Sequence, residues 1–264
     1  MKPTLRLEIL HDPSSFWSVK DEWIQLMDKV PQVTPFLTPH WTGLSFEYFA
    51  SDEELDLVLF RDHKGELVGI VPLLRVRENG SRRISLLQNW EITPYADWLV
   101  LPQYRIVALE TIFSYFSNLY GEGGLVLSMQ FLREDSPIIN VLQRLADKSN
   151  FSLRKTEAYR ISEITLPSNF EKFIYSVRKA VREKLNKTLS KIRRQYDLKN
   201  ILIEDPEEIN ESFDHFFSLF RRSSPEREEF LIPGREAFFR EVFLLLAREG
   251  WFKLYMAEAE GWRI

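Results

Sequence analysis

The sequence predicts an α/β (α+β) architecture: a mixed sheet flanked by helices, complete in a first module, partial in a second, with a long basic amphipathic helix joining them. Three observations predict it. Strand-like and helix-like hydrophobic periods alternate along the chain. The order strand, Asp-Pro, helix, Phe-Leu-x-Pro, helix, hairpin occurs twice. Between the two occurrences lies a stretch whose apolar residues step by three or four and whose remaining positions are mostly basic.

The first occurrence opens with "LEILHDPSSFWSVKDEWIQLM". A short strand leads to Asp12, a suitable N-cap, and Pro13, suited to a first helical turn. Phe16, Trp17, Trp23, Ile24 and Met27 then fall at helical spacing. "TPFLTPHWTGLSFEYFA" is an extended, proline-punctuated entry into a second helix, and "LDLVLFRDHKGELVGIVPLLRVRE" reads as two strands around a His63-Lys64-Gly65 turn. "SRRISLLQ" and "YADWLVLP" read as further strands, and "YRIVALETIFSYFSNLY" as a helix stopped by Gly121. "GLVLSMQFL" is a strand, "SPIINVLQRLADKSN" a helix opening at Ser136-Pro137, and "FSLRKTEAYRISEITLP" one or two closing strands. The second occurrence runs from "NILIEDPEEINESFDHFFSLF" through "EFLIPGREAFFREVFLLLA" to "WFKLYMAEAEGWRI". Asp12 and Asp205 lie 193 residues apart, Phe36 and Phe230 194, and Gly65 and Gly261 196. Matched spacing of three landmarks points to a structural duplication. The expected domains are residues 1–167, a linking helix 168–198, and the opening of a second module at 199–264. About 100 residues follow Gly65 in the first copy before the linking helix and three follow Gly261, so the chain is expected to be a fragment of a longer protein.

Composition narrows the classes. With 264 residues, 44% hydrophobic and 14% aromatic, the chain is long and apolar enough for a substantial core. It has no cysteine, which excludes disulfides and thiolate metal sites and fits a reducing compartment. No leader-like pattern opens it, and its longest apolar run, near Val242–Ala247, is far short of the ~20 residues of a membrane helix. A soluble, cytoplasmic protein is expected. His11, His40, His63 and His215 show no metal-ligand spacing, so no metal is expected. His63 belongs in an exposed turn and His40 at a helix start. Trp41, Trp90 and Trp98 are read as core residues.

The stretch Ser176–Asp197 holds eight Lys or Arg and two acids, in a chain of net charge −4. Its apolar stripe runs from Phe170 to Tyr196. One reading packs this helix between the two copies with its charge solvated. Another makes it the wall of a groove that recognises an anion, with Arg178 and Arg182 foremost because arginine grips phosphate bidentately. Nucleic acid fits less well, because RNA binders interleave exposed aromatics with the charge, and here the aromatics lie on the apolar stripe.

The element order resembles the GNAT acyltransferase fold, and two such copies joined by a basic helix resemble the tandem-GNAT group. That group includes CelD-like acetyltransferases of cellulose and exopolysaccharide clusters and Fem-type peptidoglycan aminoacyltransferases. The CelD-like resemblance rests on "TPFLTPHW" (Thr34–Trp41), "GELVGIVPLL" (Gly65–Leu74), "YADWLVLP" (Tyr95–Pro102) and the basic segment "VRKAVREKLNKTLSKIRRQYDL". It implies acyl transfer from acyl-CoA or acyl-carrier protein to an amine of a sugar or amino-acid-like acceptor. The alternatives are a non-catalytic binding or assembly module and an aminoacyl-tRNA-dependent transferase. The anion at Arg178 and Arg182 would then be the phosphates of CoA, a nucleotide-sugar, or the acidic face of a carrier protein. Period two places Tyr95 and Asp97 on one strand face, where the carboxylate could take the amine proton and the phenol could protonate a leaving thiolate. The other reading, which weighs more, makes Asp97 a cap or half of a buried hydrogen-bonded pair. Glu258 and Glu260 fall on the strand that often carries the family's general base, where a merely solvated pair is the other reading. The sequence departs from the family at its phosphate loop. GNAT domains cradle the CoA pyrophosphate on backbone N–H groups of a Gly-rich turn, whereas Val100–Glu110 has no glycine and Pro102 lacks a donor. Weak or no binding of acetyl-CoA by this chain is therefore expected.

Overall fold

The structure, a computed structural model, describes residues 4–31, 33–78, 81–87, 91–95, 97–120, 125–148 and 151–263. It divides into two compact units, residues 1–156 with 233–242, and residues 157–232 with 243–264.

In the first unit, β1 (Arg6–Leu10) leads through short helices α1 (Ser15–Ser18) and α2 (Lys20–Met27) and a 3₁₀ turn at Pro35–Leu37 to α3 (Pro39–Phe49). Thr38 caps α3 by accepting the Trp41 N–H at 3.1 Å, and Pro39 fills the first helical position, where no N–H is needed. Strands β2 (Glu54–Arg61) and β3 (Leu67–Glu78) form the expected hairpin, with Gly65 at φ +84°. Strand β4 (Ser81–Leu86) and the two-residue β5 (Leu99–Val100) both pair antiparallel with β3. A 3₁₀ turn at Pro102–Tyr104 opens α4 (Arg105–Tyr120), which carries the chain to β6 (Leu125–Ser128), and α5 (Pro137–Lys148) follows. The sheet order is β1-β2-β3-β4-β6, and β4 and β6 are parallel. This is a mixed sheet flanked by helices.

The alternation of β2 builds two cores. Leu55, Leu57 and Leu59 pack with Phe16, Trp23 and Phe46 from the early helices. Val58 and Phe60 pack with Leu109, Ile112 and Phe116 of α4 and Ile138 of α5. A strand covered on both faces reads as a near-continuous apolar run, as "LDLVLF" does apart from Asp56. Gly69 lies opposite Val100, and a Cβ there would come within 2.9 Å of a Val100 methyl, so the close approach of β5 requires glycine.

The second unit holds α6 (Phe170–Ser176), α7 (Lys179–Gln195), β7 (Leu198–Ile203), α8 (Pro206–Arg222), α9 (Pro225–Phe230), β8 (Leu254–Ala259) and β9 (Trp262–Arg263). Helix α10 (Pro233–Arg248) gives its first ten residues to the first unit and the remainder to the second. Asp205 caps α8 by accepting the N–H groups of Glu207 and Glu208 at 3.1 and 3.0 Å. Glu260 (φ 54°) and Gly261 (φ 82°) make the two-residue turn between β8 and β9. The order β7-β8-β9 is antiparallel throughout, as in β1-β2-β3.

Several expectations are corrected. The helix expected over 168–198 is two helices, separated by extended backbone at Val177 (ψ 155°) and Arg178 (ψ 144°). Ser176 closes the first by donating its hydroxyl to the Phe173 carbonyl at 2.8 Å, and periodicity cannot register a break that keeps the apolar phase. The closing strands expected in 151–167 are not formed: the segment has no regular structure and pairs with no ladder, and its Ile164 and Leu166 stand exposed. Asp12 does not cap α1 but accepts the Ser14 N–H at 2.8 Å in the preceding turn. Of "YADWLVLP" only Leu99 and Val100 are strand. Glu260 sits in the turn, not on the strand. Trp41 and Trp98 are buried as expected, while Trp90, Gly121 and Ile264 lie outside the described residues. No helix among the described residues is long and apolar enough to cross a membrane, and no group of His, Asp or Glu there is placed to hold a metal.

Candidate functional site

The short β5 and the turn after it define one end of the first unit's sheet. The loop before β5, described at 91–95 and 97–98, is held at both ends. Trp41 donates its indole N–H to Thr93 Oγ1 at 3.2 Å. Asp97 Oδ1 accepts the Trp98 backbone N–H at 2.7 Å and the Ser136 hydroxyl at 3.2 Å. Facing this loop is the connection between α2 and α3. Trp23 fixes it by donating its indole N–H to the Leu37 carbonyl at 2.9 Å.

Between them lies a cavity of about 40 Å³. Tyr95 and Asp97 both line it, so the structure brings these two candidates together, although not through strand periodicity. Tyr95 packs on Phe36 at 6.1 Å, and Arg133 lies over its ring at 5.7 Å. Burial raises the pKa of Asp97. The Trp98 N–H, the Ser136 hydroxyl and the Arg105 charge oppose that rise, and Asp135 adds to it. Four further polar residues line the same space: Thr34, Trp98, Arg105 and Arg133. The Thr34 hydroxyl and the Trp98 indole N–H are buried with no hydrogen-bond partner among the described residues. Arg105 donates Nε to the Val100 carbonyl at 3.3 Å, and Arg133 grips Asp135 at 2.9 and 3.2 Å. Sequence reasoning missed these four. The arginines had one available signal, since each stands within a few residues of a proline that opens a helix.

The turn from Leu101 to Arg105 does not fit a pyrophosphate. Pro102 has no N–H, the Leu101 N–H is donated to the Val68 carbonyl at 2.9 Å, and the Tyr104 N–H to the Leu101 carbonyl at 2.9 Å. These donors are turned into the protein's own backbone, whereas a cradle needs them to converge on a ligand.

In the second unit, a groove of about 620 Å³ runs between α6 and α7. Arg182 and Arg193 line it, and Arg182 lies over the Tyr175 ring at 5.5 Å. Arg178 is outside the lining, exposed at the N-cap of α7. No residue of α7 is buried. Glu258 faces Lys199 across the β7–β8 ladder at 3.6 Å and is a surface ion pair.

A further polar cluster in the first unit was not foreseen. His11 Nδ1 approaches Asp56 Oδ1 at 2.8 Å, and Arg75 Nε approaches Asp56 Oδ2 at 2.8 Å. Burial raises the pKa of Asp56, against the lowering effects of Arg75 and His11.

Residues 178–264 match the family described as "Acetyltransferase (GNAT) domain". They begin at the N-cap of α7 and include the whole β7-to-β9 arrangement. Among curated proteins, none matches the chain. Among solved structures, the chain is similar to a fungal multi-domain GH3 beta-N-acetylglucosaminidase described as having a unique GCN5-related glucosamine N-acetyltransferase region. The identity is 12% and the TM-score 0.34, over 98% of this chain and 26% of that one. This chain thus spans about a quarter of that protein's length. A GNAT acetyltransferase domain therefore occupies residues 178–264, and the mixed α/β organisation is consistent with a GNAT-like fold.

Proposed function

We propose that the protein is a GNAT-type N-acyltransferase. It moves an acyl group from acyl-CoA or an acyl-carrier protein to an amine of a sugar or amino-acid-like acceptor, in exopolysaccharide or cell-envelope metabolism. The observation that carries this reading is the match of residues 178–264 to the acetyltransferase domain. The repeated order of β1-to-β3 and β7-to-β9 supports two related modules, 1–167 and 199–264, joined by 168–198.

The roles of this chain's own residues follow from position. The cavity beside Tyr95 and Asp97 receives the acceptor amine, with Asp97 as the group that takes its proton. Arg182, set in the α6–α7 groove, and Arg178 at its head recognise an anionic donor surface. The turn at Leu101–Arg105 is given no part in holding the donor.

That turn also favours a second reading, a binding or assembly module without transferase activity. One assay separates the two. The purified chain is incubated with acetyl-CoA or an acetylated carrier protein and a panel of amines including glucosamine, lysine and alanine. Thiol release and product mass are followed together. At donor concentrations high enough to offset the weak acetyl-CoA binding expected of this chain, an acylated amine above the enzyme-free rate is the expected outcome. A folded chain that acylates no amine from either donor leaves the binding module.

A further inference from the structure

The cavity at Asp97 carries more information than the acceptor's amine. Its wall holds one half-buried carboxylate, that of Asp97, and two arginines, Arg105 and Arg133. Arg105 uses only Nε on the Val100 carbonyl, so its two terminal NH₂ groups make no hydrogen bond among the described residues. The charge of Arg105 acts on Asp97, which places the two opposite charges in one electrostatic neighbourhood. Two buried polar atoms of lining residues, Thr34 Oγ1 and Trp98 Nε1, have no partner among the described residues. Buried polar groups are almost always paired, so two orphans around one cavity indicate a polar occupant that supplies the missing bonds. The indole N–H can only donate, and the hydroxyl can do either. Donors from Arg105 and Trp98 suit a carboxylate, while acceptors on Asp97 and Thr34 suit an ammonium.

Size limits the occupant. At about 10–15 Å³ per water-sized group, 40 Å³ admits three or four such groups. Atoms bonded to one another sit closer than waters, so this space takes the amine, α-carbon and carboxylate of a small amino acid. A hexosamine ring is too large, and it has no carboxylate to meet Arg105.

We propose that this cavity is a binding site for a small free α-amino acid, its ammonium on Asp97 and its carboxylate on Arg105, with Trp98 Nε1–H and the Thr34 hydroxyl completing the shell. This inference deepens the acyltransferase reading by naming the acceptor class, and it rests on that reading only for the reaction, not for the binding.

The test is therefore binding without a donor. L-alanine, alaninamide, propionate and glucosamine are titrated into the chain by calorimetry and by saturation-transfer NMR. L-alanine is expected to bind, and loss of either charge, in alaninamide or propionate, to weaken binding about tenfold or more. Arg105→Gln should bring L-alanine down to the level of alaninamide, and Asp97→Asn down to that of propionate. The ligand series on the unaltered chain stands even if a variant fails to fold. No detectable binding of L-alanine, equal binding of L-alanine and alaninamide, or tighter binding of glucosamine would each overturn the proposal. Binding of L-alanine in a chain that acylates nothing would support this site while sinking the acyltransferase reading. Acylation of glucosamine without L-alanine binding would do the reverse.

Discussion

Strands β2 and β8 hold the same place in two similar arrangements, each the first hairpin strand after three α-helices and each antiparallel to the strand before those helices. Their surroundings differ. β2 is buried along six consecutive residues, with helices on both faces. β8 alternates: Leu254 and Met256 are buried, and Tyr255 between them is 70% exposed. The sequences carry the difference, since "LDLVLF" is nearly all apolar and "LYMAEA" is not. Topology is thus set by turn chemistry and order, while the composition of a strand records how many of its faces are covered.

The largest test of this contrast is a pair of truncations. Leu57→Ala, at a fully buried position, should cost about 2–5 kcal/mol in chemical denaturation. Tyr255→Ala should change stability by less than about 0.5 kcal/mol. Similar losses at both positions would mean that β8 is as enclosed as β2. Next comes Gly69→Ala, which forces a Cβ against the stiff Val100 side chain and should destabilise by about 1–3 kcal/mol. The helix caps differ more subtly. Asp205→Ala removes an acceptor for two N–H groups and should cost about 1 kcal/mol. Asp12→Ala removes one turn contact and should cost less.

The smallest effect is one of pH. The folded pKa of Asp56 is raised above its ordinary 3.8 by burial, against Arg75 and His11. The sign follows from proton linkage: its contribution to stability is complete below 3.8 and is lost as pH rises through the folded value. Glu22, lowered by Arg61, acts in the opposite sense. Asp56→Asn should therefore gain most relative to the parent at neutral pH and lose that advantage as pH falls toward 3.8. Denaturation midpoints across that range measure it, and a pH-independent difference between the two proteins would contradict it.

Local signals made much of the fold legible. Asp205-Pro206, the Phe-Leu-x-Pro entries and the glycines at 65 and 261 each act within a few residues, and the elements they mark were found. The break at Val177–Arg178 was not, because it preserves the apolar stripe. The segment 151–167 reads as strand because alternation reports only a residue's own pattern, and a strand also needs a neighbour. At the candidate site, Tyr95 and Asp97 were named on an incorrect strand argument. Their cavity companions Thr34, Arg105 and Arg133 come from separate elements, and only the folded sheet brings them together.

The loop that carries Asp97 is tied down at Thr93 by Trp41 and at Asp97 by Ser136. Thr93 and Asp97, fastened in this way, have already given up conformational freedom during folding. A ligand that meets Asp97 therefore spends little of its interaction energy on ordering that side chain. Cutting one tether with Ser136→Ala would leave the charges of the cavity in place. The loss would then surface as a less favourable entropy of association.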